Sequence, residues 1–208
     1  MMAEQKMDEF LEVLSSKAPV PGGGGASAYA AAIGMSLGSM VANLTTGKKK
    51  YAQYQPQIDE VLEAAEKLTK ELTEFMDKDA EAFEPLSKAY GLPKDTPKQL
   101  AEREEIMEKA LVSASETPLA LMEKILEAMR LLDRLSVIGS KLAISDVGVG
   151  IQMAKAALNG ASLNVFINTN LMKNTVVANS MNTRADELLT VGNKLADNVY
   201  DSVLAQIR

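Results

Sequence analysis

The spacing of apolar positions along the chain predicts a protein built from helices. Between residues 58 and 90, apolar side chains recur every three or four positions, which is the spacing of one face of an amphipathic helix. Patterns of the same period predict helices over residues 7–14 and, near the end of the chain, about 185–207. We therefore expect an all-α fold, a bundle of about six to eight helices.

Proline and turn residues predict where these helices begin and end. Thr96 followed by Pro97 is typical of a helix start, and the helix it opens is expected to run to about residue 135. Pro118 is expected to break that helix in its middle, and Pro85 to kink or break the helix before it. After a loop at Gly139, a further helix is expected over residues 144–158.

The stretch that follows is harder to assign. Asn159-Gly160 has the composition of a helix stop signal. Residues 161–172 alternate in part between apolar and polar, which fits either a short helix or a strand. We favour the helix because the rest of the chain reads as helical.

One predicted helix, over residues 26–44, is made largely of small side chains. Alanine or glycine recurs every fourth residue along one stripe of it, at positions 26, 30, 34, 38 and 42. Such a stripe lets another helix backbone approach closely. The surrounding residues 18–47 carry no charge, but this alanine- and glycine-rich composition favours a buried helix over a membrane span.

A second uncharged zone, over residues 142–172 apart from Asp146 and Lys155, adds to the apolar surface that must be covered. Two such zones in a chain of 208 residues exceed what surface helices need, and suggest a core extended by a dimer interface. We therefore expect a single domain over residues 1–208 that forms a homodimer.

Composition excludes several classes of protein and site. The net charge of −6 argues against a nucleic-acid binder, which usually carries a basic field. The chain has no cysteine and no histidine, so zinc sites of the Cys/His type, disulfides and Ser–His or Cys–His dyads are excluded, and we expect no metal site. Proton transfer must fall to Asp, Glu, Lys or Tyr. No signal peptide is visible in the first ten residues, and we expect a cytoplasmic protein.

Two stretches flank the small-residue helix. Glycines 22–25 lead into it and could present backbone N–H groups to a ligand, although they match neither a Walker A loop nor a dinucleotide-binding turn. Lys48, Lys49 and Lys50 follow it. They are either a solvated cap at the negative end of the helix or a clamp for a carboxylate-bearing ligand.

Carboxylates and amides supply the remaining candidates. Asp79 lies beside the apolar side of its helix, and Asp146 follows Ser145 in an apolar stretch. Each is either an ordinary surface or capping residue or a group whose pKa is raised for acid–base work. Asn164 and Asn168, four residues apart, could hydrogen-bond a polar heterocycle or nearby helix ends.

Three blocks in a fixed order resemble the cyclodeaminase/cyclohydrolase family of folate enzymes. They are APVPGGGGASAYAAAIGMSLGSMVANLTTGKKKY, DAEAFEPLSKAYGLPKDT and ISDVGVGIQMAKAALNGASLNVFIN, and the resemblance covers roughly residues 7–172. The family is all-helical and dimeric, and includes the deaminase half of formiminotransferase-cyclodeaminase and stand-alone methenyltetrahydrofolate cyclohydrolases. The resemblance implies a tetrahydrofolate derivative, with a single glutamate or polyglutamylated, as substrate and no tightly bound cofactor.

The resemblance also suggests roles for the candidate residues. Asp146 would be the main catalytic carboxylate and Asp79 a second acid or base. The substrate would be bound by the glycine turn and by the lysines with their neighbours, the lysines holding the glutamate tail and the two asparagines the pterin; this set is Gly22, Gly23, Gly24, Lys48, Lys49, Lys50, Tyr51, Ser145, Asn164 and Asn168.

The chain departs from the family in one place. The family tends to have Gly-Asn-x-Asn before the Ser-Asp pair, and here Ser140 and Leu142 replace both asparagines. This leaves open the choice between the cyclohydrolase and the cyclodeaminase reaction. We favour the cyclohydrolase because no transferase domain accompanies the chain to deliver formiminotetrahydrofolate. The alternatives are the cyclodeaminase and a non-catalytic folate-binding protein.

Overall fold

Six α-helices form the fold in the computed structural model, which describes all 208 residues and contains no β-strand. They are α1 (Met7–Leu14), α2 (Gly23–Thr45), α3 (Gln55–Tyr90), α4 (Pro97–Ile138), α5 (Ile144–Thr169) and α6 (Thr175–Ile207). Short 3₁₀ turns at Met2–Glu4, Lys49–Tyr54 and Lys141–Ala143 link or precede them. The all-α prediction is confirmed.

The small-residue helix α2 lies at the centre and packs against α3, α4 and α5. A β-carbon added at Gly34 would come within 2.7 Å of the carbonyl oxygen of Gly150 in α5, so only glycine permits this approach. At Gly38 an added β-carbon would meet Leu132 of α4 at 2.9 Å. α2 is long and apolar enough to span a membrane by length and composition alone, but more than half of it is buried inside the fold.

Helices α2 and α5 run antiparallel along each other. The start of α2 lies beside the end of α5, where an added β-carbon on Gly160 would meet Ser27 at 2.6 Å. Further along, Gly34 lies against Gly150. The two ends of this helix pair are separated by roughly 35 Å, since α2 has 23 residues and each residue of a helix rises about 1.5 Å.

The expected break at Pro118 was wrong, because α4 continues through it as one helix of 42 residues. A proline inside a helix cannot donate to the carbonyl four residues earlier, which here belongs to Ala114. The side chain of Asn168 in α5 donates to that carbonyl at 2.9 Å and replaces the missing bond. Pro85 likewise lies inside an uninterrupted α3.

The expected stop at Asn159-Gly160 was also wrong. Helix α5 runs through both residues, and the preference for helix over strand in residues 161–172 is confirmed as far as Thr169. Gly160 is there for close packing against α2, as above, and the Asn159 amide exchanges hydrogen bonds with Asn193 of α6 at 2.9 and 3.2 Å. Asn159 and Gly160 are thus explained by their tertiary contacts. A local sequence pattern cannot distinguish such contacts from a helix stop.

Helix α6 begins about ten residues before the predicted start. Its first turn is capped by the side chain of Asn174, which accepts a hydrogen bond from the N–H of Val177 at 3.2 Å. Asparagine is a favoured N-cap, so this start was visible in the sequence and was missed. Helix α2 likewise begins at Gly23, so three of the four glycines belong to its first turn.

Candidate active site

Asp79 of α3 points at the glycine-rich start of α2. Gly22 is the N-cap, and no side chain of the neighbouring sequence caps this helix. Instead, the Oδ2 of Asp79 accepts a hydrogen bond from the N–H of Gly25 at 3.1 Å. The first N–H groups of a helix have no partner within it, so Gly23 and Gly24 present two further donors at the same place.

This contact requires a glycine at position 24, because any side chain there would collide with Asp79. An added β-carbon would lie 2.0 Å from the Oδ1 of Asp79, far inside van der Waals contact. At Gly22 an added β-carbon would meet nothing within 4 Å. The glycines are therefore not equivalent, and the one at position 24 makes room for the carboxylate.

A cavity of about 200 Å³ opens in front of this carboxylate. Its walls come from the segment before α2, from the start of α2, and from α3, α4 and α5; the lining residues are Pro19, Val20, Gly22, Gly23, Asp79, Phe83, Ala114, Asn164, Ile167 and Asn168. The walls thus combine apolar surfaces with one carboxylate and two amides, a composition typical of small-molecule sites.

The Asp79 carboxylate has no cationic partner, since it takes part in none of the salt bridges of the structure. Burial raises its pKa above the ordinary value for aspartate, and the hydrogen bond from Gly25 opposes this in part. A carboxyl group with a raised pKa that faces a cavity is a candidate for taking up and releasing a proton. It also favours a ligand that carries positive charge.

The two asparagines of α5 line the same cavity, but they are not equally free. The amide of Asn168 is 9% exposed and bonded to the carbonyl of Ala114. Asn164 donates to the carbonyl of Gly160 in its own helix at 3.0 Å and lies about 3.5 Å from where a β-carbon of Gly23 would be. Its amide oxygen remains available to a ligand.

The lysine segment lies at the other end of the α2–α5 pair, where a network of hydrogen bonds orders the backbone. The N–H of Ser140 donates to the hydroxyl of Thr45 at 2.8 Å, and the N–H of Lys141 donates to the hydroxyl of Tyr51 at 3.0 Å. The ammonium group of Lys48 donates to the Ser140 hydroxyl at 3.4 Å. Lys49 and Lys50 are exposed.

Tyr51 has a pKa below that of an ordinary phenol. The hydrogen bond from the backbone of Lys141 is the largest cause, and the Ser140 side chain and the charges of Lys50 and Lys48 act in the same direction. This end of the helix pair therefore stabilises negative charge, whereas the cavity at the other end holds a carboxylate.

The two residues that replace the family's asparagines lie in this second region. Ser140 is 1% exposed and is held by Thr45 and Lys48, so the loop is ordered without an asparagine there. Leu142 is 93% exposed and contributes little to the packing of this chain. The departure from the family pattern thus leaves the local fold intact.

Asp146 and Ser145 lie in the first turn of α5, close to the lysine end. Asp146 does not cap the helix, whose N-cap is Ala143, and it does not line the cavity. It is separated from Asn164 by eighteen residues of one helix, or about 27 Å. Within one chain, Asp146 and Asp79 therefore belong to different regions.

The predicted site residues thus form two groups in one chain, and their roles stay predictions. Glycines 22–24, Asp79 and the two asparagines come together around the cavity, whereas Lys48–Lys50, Tyr51, Ser145 and Asp146 gather at the opposite end. The cavity walls Val20, Phe83 and Ile167 were not predicted. Phe83 had a visible signal, because it follows Asp79 by four residues on one helix face.

Comparison with known proteins gives a consistent result. The profile of a family described as formiminotransferase-cyclodeaminase matches residues 6–187. The chain is 37% identical over 207 residues to the methenyltetrahydrofolate cyclohydrolase of Methylorubrum extorquens strain AM1, an alignment that covers 100% of both proteins.

Two further relatives carry a different activity in their names. The chain is 32% identical over 167 residues to the formimidoyltransferase-cyclodeaminase of Gallus gallus, and the alignment covers 80% of this chain but only 31% of that longer protein. The crystal structure of formiminotetrahydrofolate cyclodeaminase from Thermotoga maritima superposes with a TM-score of 0.83 at 25% identity, covering 99% of this chain and 97% of that one.

Proposed function

This chain belongs to the formiminotransferase-cyclodeaminase family, and from that premise we propose that it is a methenyltetrahydrofolate cyclohydrolase. The reaction converts 5,10-methenyltetrahydrofolate and water into 10-formyltetrahydrofolate and a proton. The observation that carries the proposal is the end-to-end similarity to the Methylorubrum cyclohydrolase. The cavity at Asp79 supports it, because the structure offers a carboxylate without a counter-ion to a substrate whose methenyl group is cationic.

The chemistry follows from that charge pairing. Water attacks the methenyl carbon, a new C–O bond forms, and Asp79 accepts one proton of the water. As the bond between that carbon and N5 breaks, the same proton passes to N5, and the remaining hydroxyl proton leaves to solvent as the formyl C=O forms. A carboxyl group with a raised pKa suits both steps because it gains and loses a proton readily.

The neighbouring groups bind and orient the pterin. The free N–H donors at the start of α2 and the amide oxygen of Asn164 lie near one another beside the cavity. The pterin ring has both acceptors and donors along its edge, so this pair of partners can fix its orientation. No tightly bound cofactor is needed for these steps.

We further propose a homodimer formed through the exposed faces of α2 and α5. α2 carries no charged residue, and α5 carries only Asp146 and Lys155. On α5 the exposed apolar residues are Val149, Leu163 and Ile167, of which Leu163 is 67% exposed. On α2, Met40 and Leu44 are 40% and 46% exposed. A contiguous apolar surface of this kind marks an interaction site.

A two-fold arrangement would also bring the two groups of site residues together. Because α2 and α5 are antiparallel, a second copy placed face to face and reversed in direction sets its lysine end beside the first copy's cavity. Asp146, Tyr51 and the lysines could then act on a substrate held at Asp79. Replacement of Leu163 by Asp should give monomers in light scattering and lower turnover, whereas a dimer that persists contradicts this interface.

The cyclodeaminase reaction is the second candidate, favoured by the Thermotoga structure. In that reaction N10 attacks the formimino carbon on N5 and ammonia leaves. The protonated formimino group is also cationic, so the pairing with Asp79 does not separate the two reactions. A folate-binding protein without activity is the third.

Turnover assays distinguish the three. Incubation with methenyltetrahydrofolate should cause its near-ultraviolet absorbance to disappear faster than without protein. Appearance of that absorbance from formiminotetrahydrofolate, without hydrolysis, would identify the deaminase instead. Binding without turnover would indicate the folate-binding protein, and absence of both would rule out the folate assignment. We expect the protein in the cytoplasm, with free or polyglutamylated folates as substrates.

A further inference from the structure

A second groove adjoins the cavity and shares three of its walls. The shared residues are Pro19, Val20 and Phe83. From them the groove, of about 390 Å³, follows the outer face of α3 to Ser87 and Lys88. The two spaces therefore adjoin each other at these three residues.

The cavity at Asp79 is small for the whole substrate. Its volume of about 200 Å³ lies below the range of about 300–1,000 Å³ that is usual for sites that bury a drug-sized ligand. A folate consists of a pterin, an aminobenzoyl ring and at least one glutamate. If the pterin occupies the cavity, the rest of the molecule has to leave it along a neighbouring surface.

The residues along the groove match the aminobenzoyl ring and then the glutamate of a folate, in that order. Next to the cavity, Pro19, Val20 and Phe83 offer apolar surfaces against which a flat aromatic ring can pack. Farther along α3, Ser87 and Lys88 offer a hydroxyl and an ammonium group. An aromatic ring followed by a carboxylate matches an apolar segment followed by a cation.

We propose that this groove is the subsite for the aminobenzoyl-glutamate part of the substrate, with Lys88 pairing with a glutamate carboxylate. The inference rests on the proposed folate function and concerns which part of the surface the tail uses. It places the tail on the same chain as Asp79. Lys48–Lys50 of that chain lie roughly 35 Å away at the other end of α2, and only the lysines of a second copy would lie beside the cavity in the proposed dimer.

Lys88 is available for such a pairing. Its present partner is Glu84, one helical turn earlier, at 2.7 Å, and the two side chains are 73% and 65% exposed. Exposed pairs of this kind contribute little stability, so Lys88 can exchange Glu84 for a ligand carboxylate at small cost. Glu81 and Glu84 also line the groove and repel the same carboxylate, which gives the proposal a second, opposite prediction.

The test compares steady-state kinetics on two substrates. One is methenyltetrahydrofolate, and the other is an analogue in which N10 carries a plain phenyl ring without glutamate. Lys88→Glu should raise KM for the first substrate roughly three- to tenfold, leave kcat unchanged, and have no effect on the analogue. Glu84→Gln should lower KM for the first substrate only.

Lys109→Glu is the matched control. Lys109 pairs with Glu105 at 2.7 Å in the same i,i+4 geometry on an exposed helix face, and it lines neither space. The net charge changes equally in both variants, so a general electrostatic effect would appear in both. Equal KM values for the Lys88 and Lys109 variants would overturn the proposal, as would a loss that depends on the tail but arises only from Lys49→Glu.

Two measurements keep the inference separate from the proposed reaction. Ser87→Trp should fill the groove and raise KM for methenyltetrahydrofolate but not for the analogue; equal effects on both would count against the subsite. If the wild-type protein turns over neither folate, the reaction assignment fails, but titration with N-(4-aminobenzoyl)glutamate still tests the groove. Binding that Lys88→Glu weakens and Lys109→Glu does not supports the subsite, and no difference contradicts it.

Discussion

The two ends of the α2–α5 pair hold groups of opposite character. At one end a carboxylate without a cationic partner lies against a cavity, and burial raises its pKa. At the other end exposed lysines and a tyrosine of lowered pKa stabilise negative charge. Partial burial of Asp79 disfavours its charged form and so favours proton uptake, whereas the lysines are exposed to water. The proposed proton transfer therefore depends on the first end, and the second end is predicted to interact with negatively charged groups.

The largest loss of turnover is expected from Gly24→Ala, because the contact between Gly24 and Asp79 leaves no room for a side chain. Gly24→Ala places a β-carbon 2.0 Å from Asp79, so the carboxylate or the start of α2 has to move. Turnover should fall by a factor of about 100 or more, because catalytic groups displaced by an ångström lose activity on that scale. The free energy of unfolding should fall by about 1–3 kcal/mol.

Gly22→Ala provides the control for that change. Its β-carbon would meet nothing within 4 Å, so only a small loss of helix capping is expected. Thermal melts and turnover should be compared for both variants. A Gly24→Ala protein with the activity of the Gly22→Ala protein would show that the close contact with Asp79 has no function.

Asp79→Asn tests the carboxylate itself and keeps its shape. The amide oxygen can still accept the hydrogen bond from Gly25, so the fold should persist while kcat falls by about 10²–10⁴. Circular dichroism measures whether the fold persists, and steady-state kinetics measure the fall in kcat. Asp146→Asn measured in parallel shows which of the two carboxylates the reaction needs, and a larger loss at Asp146 would reverse the comparison of the two ends.

The raised pKa of Asp79 also predicts how pH acts. As a base it must be ionised, so kcat should rise as pH increases through its pKa, above the ordinary value of 3.8. Stability should change in the other direction. A carboxyl group whose pKa is higher in the folded state stabilises the protein below the unfolded value, and this contribution is lost as pH rises through the folded pKa.

The Asp79→Asn protein should therefore melt at the same temperature as the wild type or higher at pH 7, and the difference should shrink toward pH 4. Melts at several pH values measure this. A wild-type protein that is the more stable of the two at neutral pH would mean that the ionised carboxylate is well solvated or paired, contrary to its position in the structure.

Sequence periodicity was sufficient for the fold but not for interruptions within helices. Pro118 and Gly160 are residues that usually interrupt a helix. Asn168 donates to the carbonyl that Pro118 leaves without a partner, and Ser27 packs so close to Gly160 that only glycine fits there. Neither partner is near in sequence. Local patterns therefore predicted breaks that tertiary contacts remove.

The site was predictable in its residue types but not in its grouping. The sequence pointed to Asp79 and to the glycines separately. Only the fold shows that the Asp79 carboxylate accepts a hydrogen bond from the start of α2, at Gly25. The grouping of Asp146 with the lysines follows from the antiparallel packing of α2 and α5, which the small-residue stripes allow but do not specify. The order of catalytic importance first assigned to Asp146 and Asp79 consequently rested on motif position alone.

A smaller effect is expected at the second end from Tyr51→Phe. The phenol accepts the N–H of Lys141, and loss of that acceptor should lower stability by about 0.5–1.5 kcal/mol. Ultraviolet titration should show one of the five tyrosines ionising at lower pH than the others in the wild type and not in the variant. If all five ionise together, neither the hydrogen bond from Lys141 nor the nearby lysines lower the pKa of this phenol.

The smallest effect on the isolated chain is expected from Leu142→Asn, which restores one of the family's asparagines. The side chain is 93% exposed, so its replacement should change the free energy of unfolding by no more than about 0.5 kcal/mol. An exposed leucine beside the lysine end has a role only if something covers it. In the proposed dimer that end lies beside the other copy's cavity, so Leu142→Asn should alter turnover or the ratio of activities on the two folates while leaving the melting temperature unchanged. Unchanged turnover on both substrates would place Leu142 outside the site. It would also count against the proposal that the lysine end of one copy completes the cavity of the other.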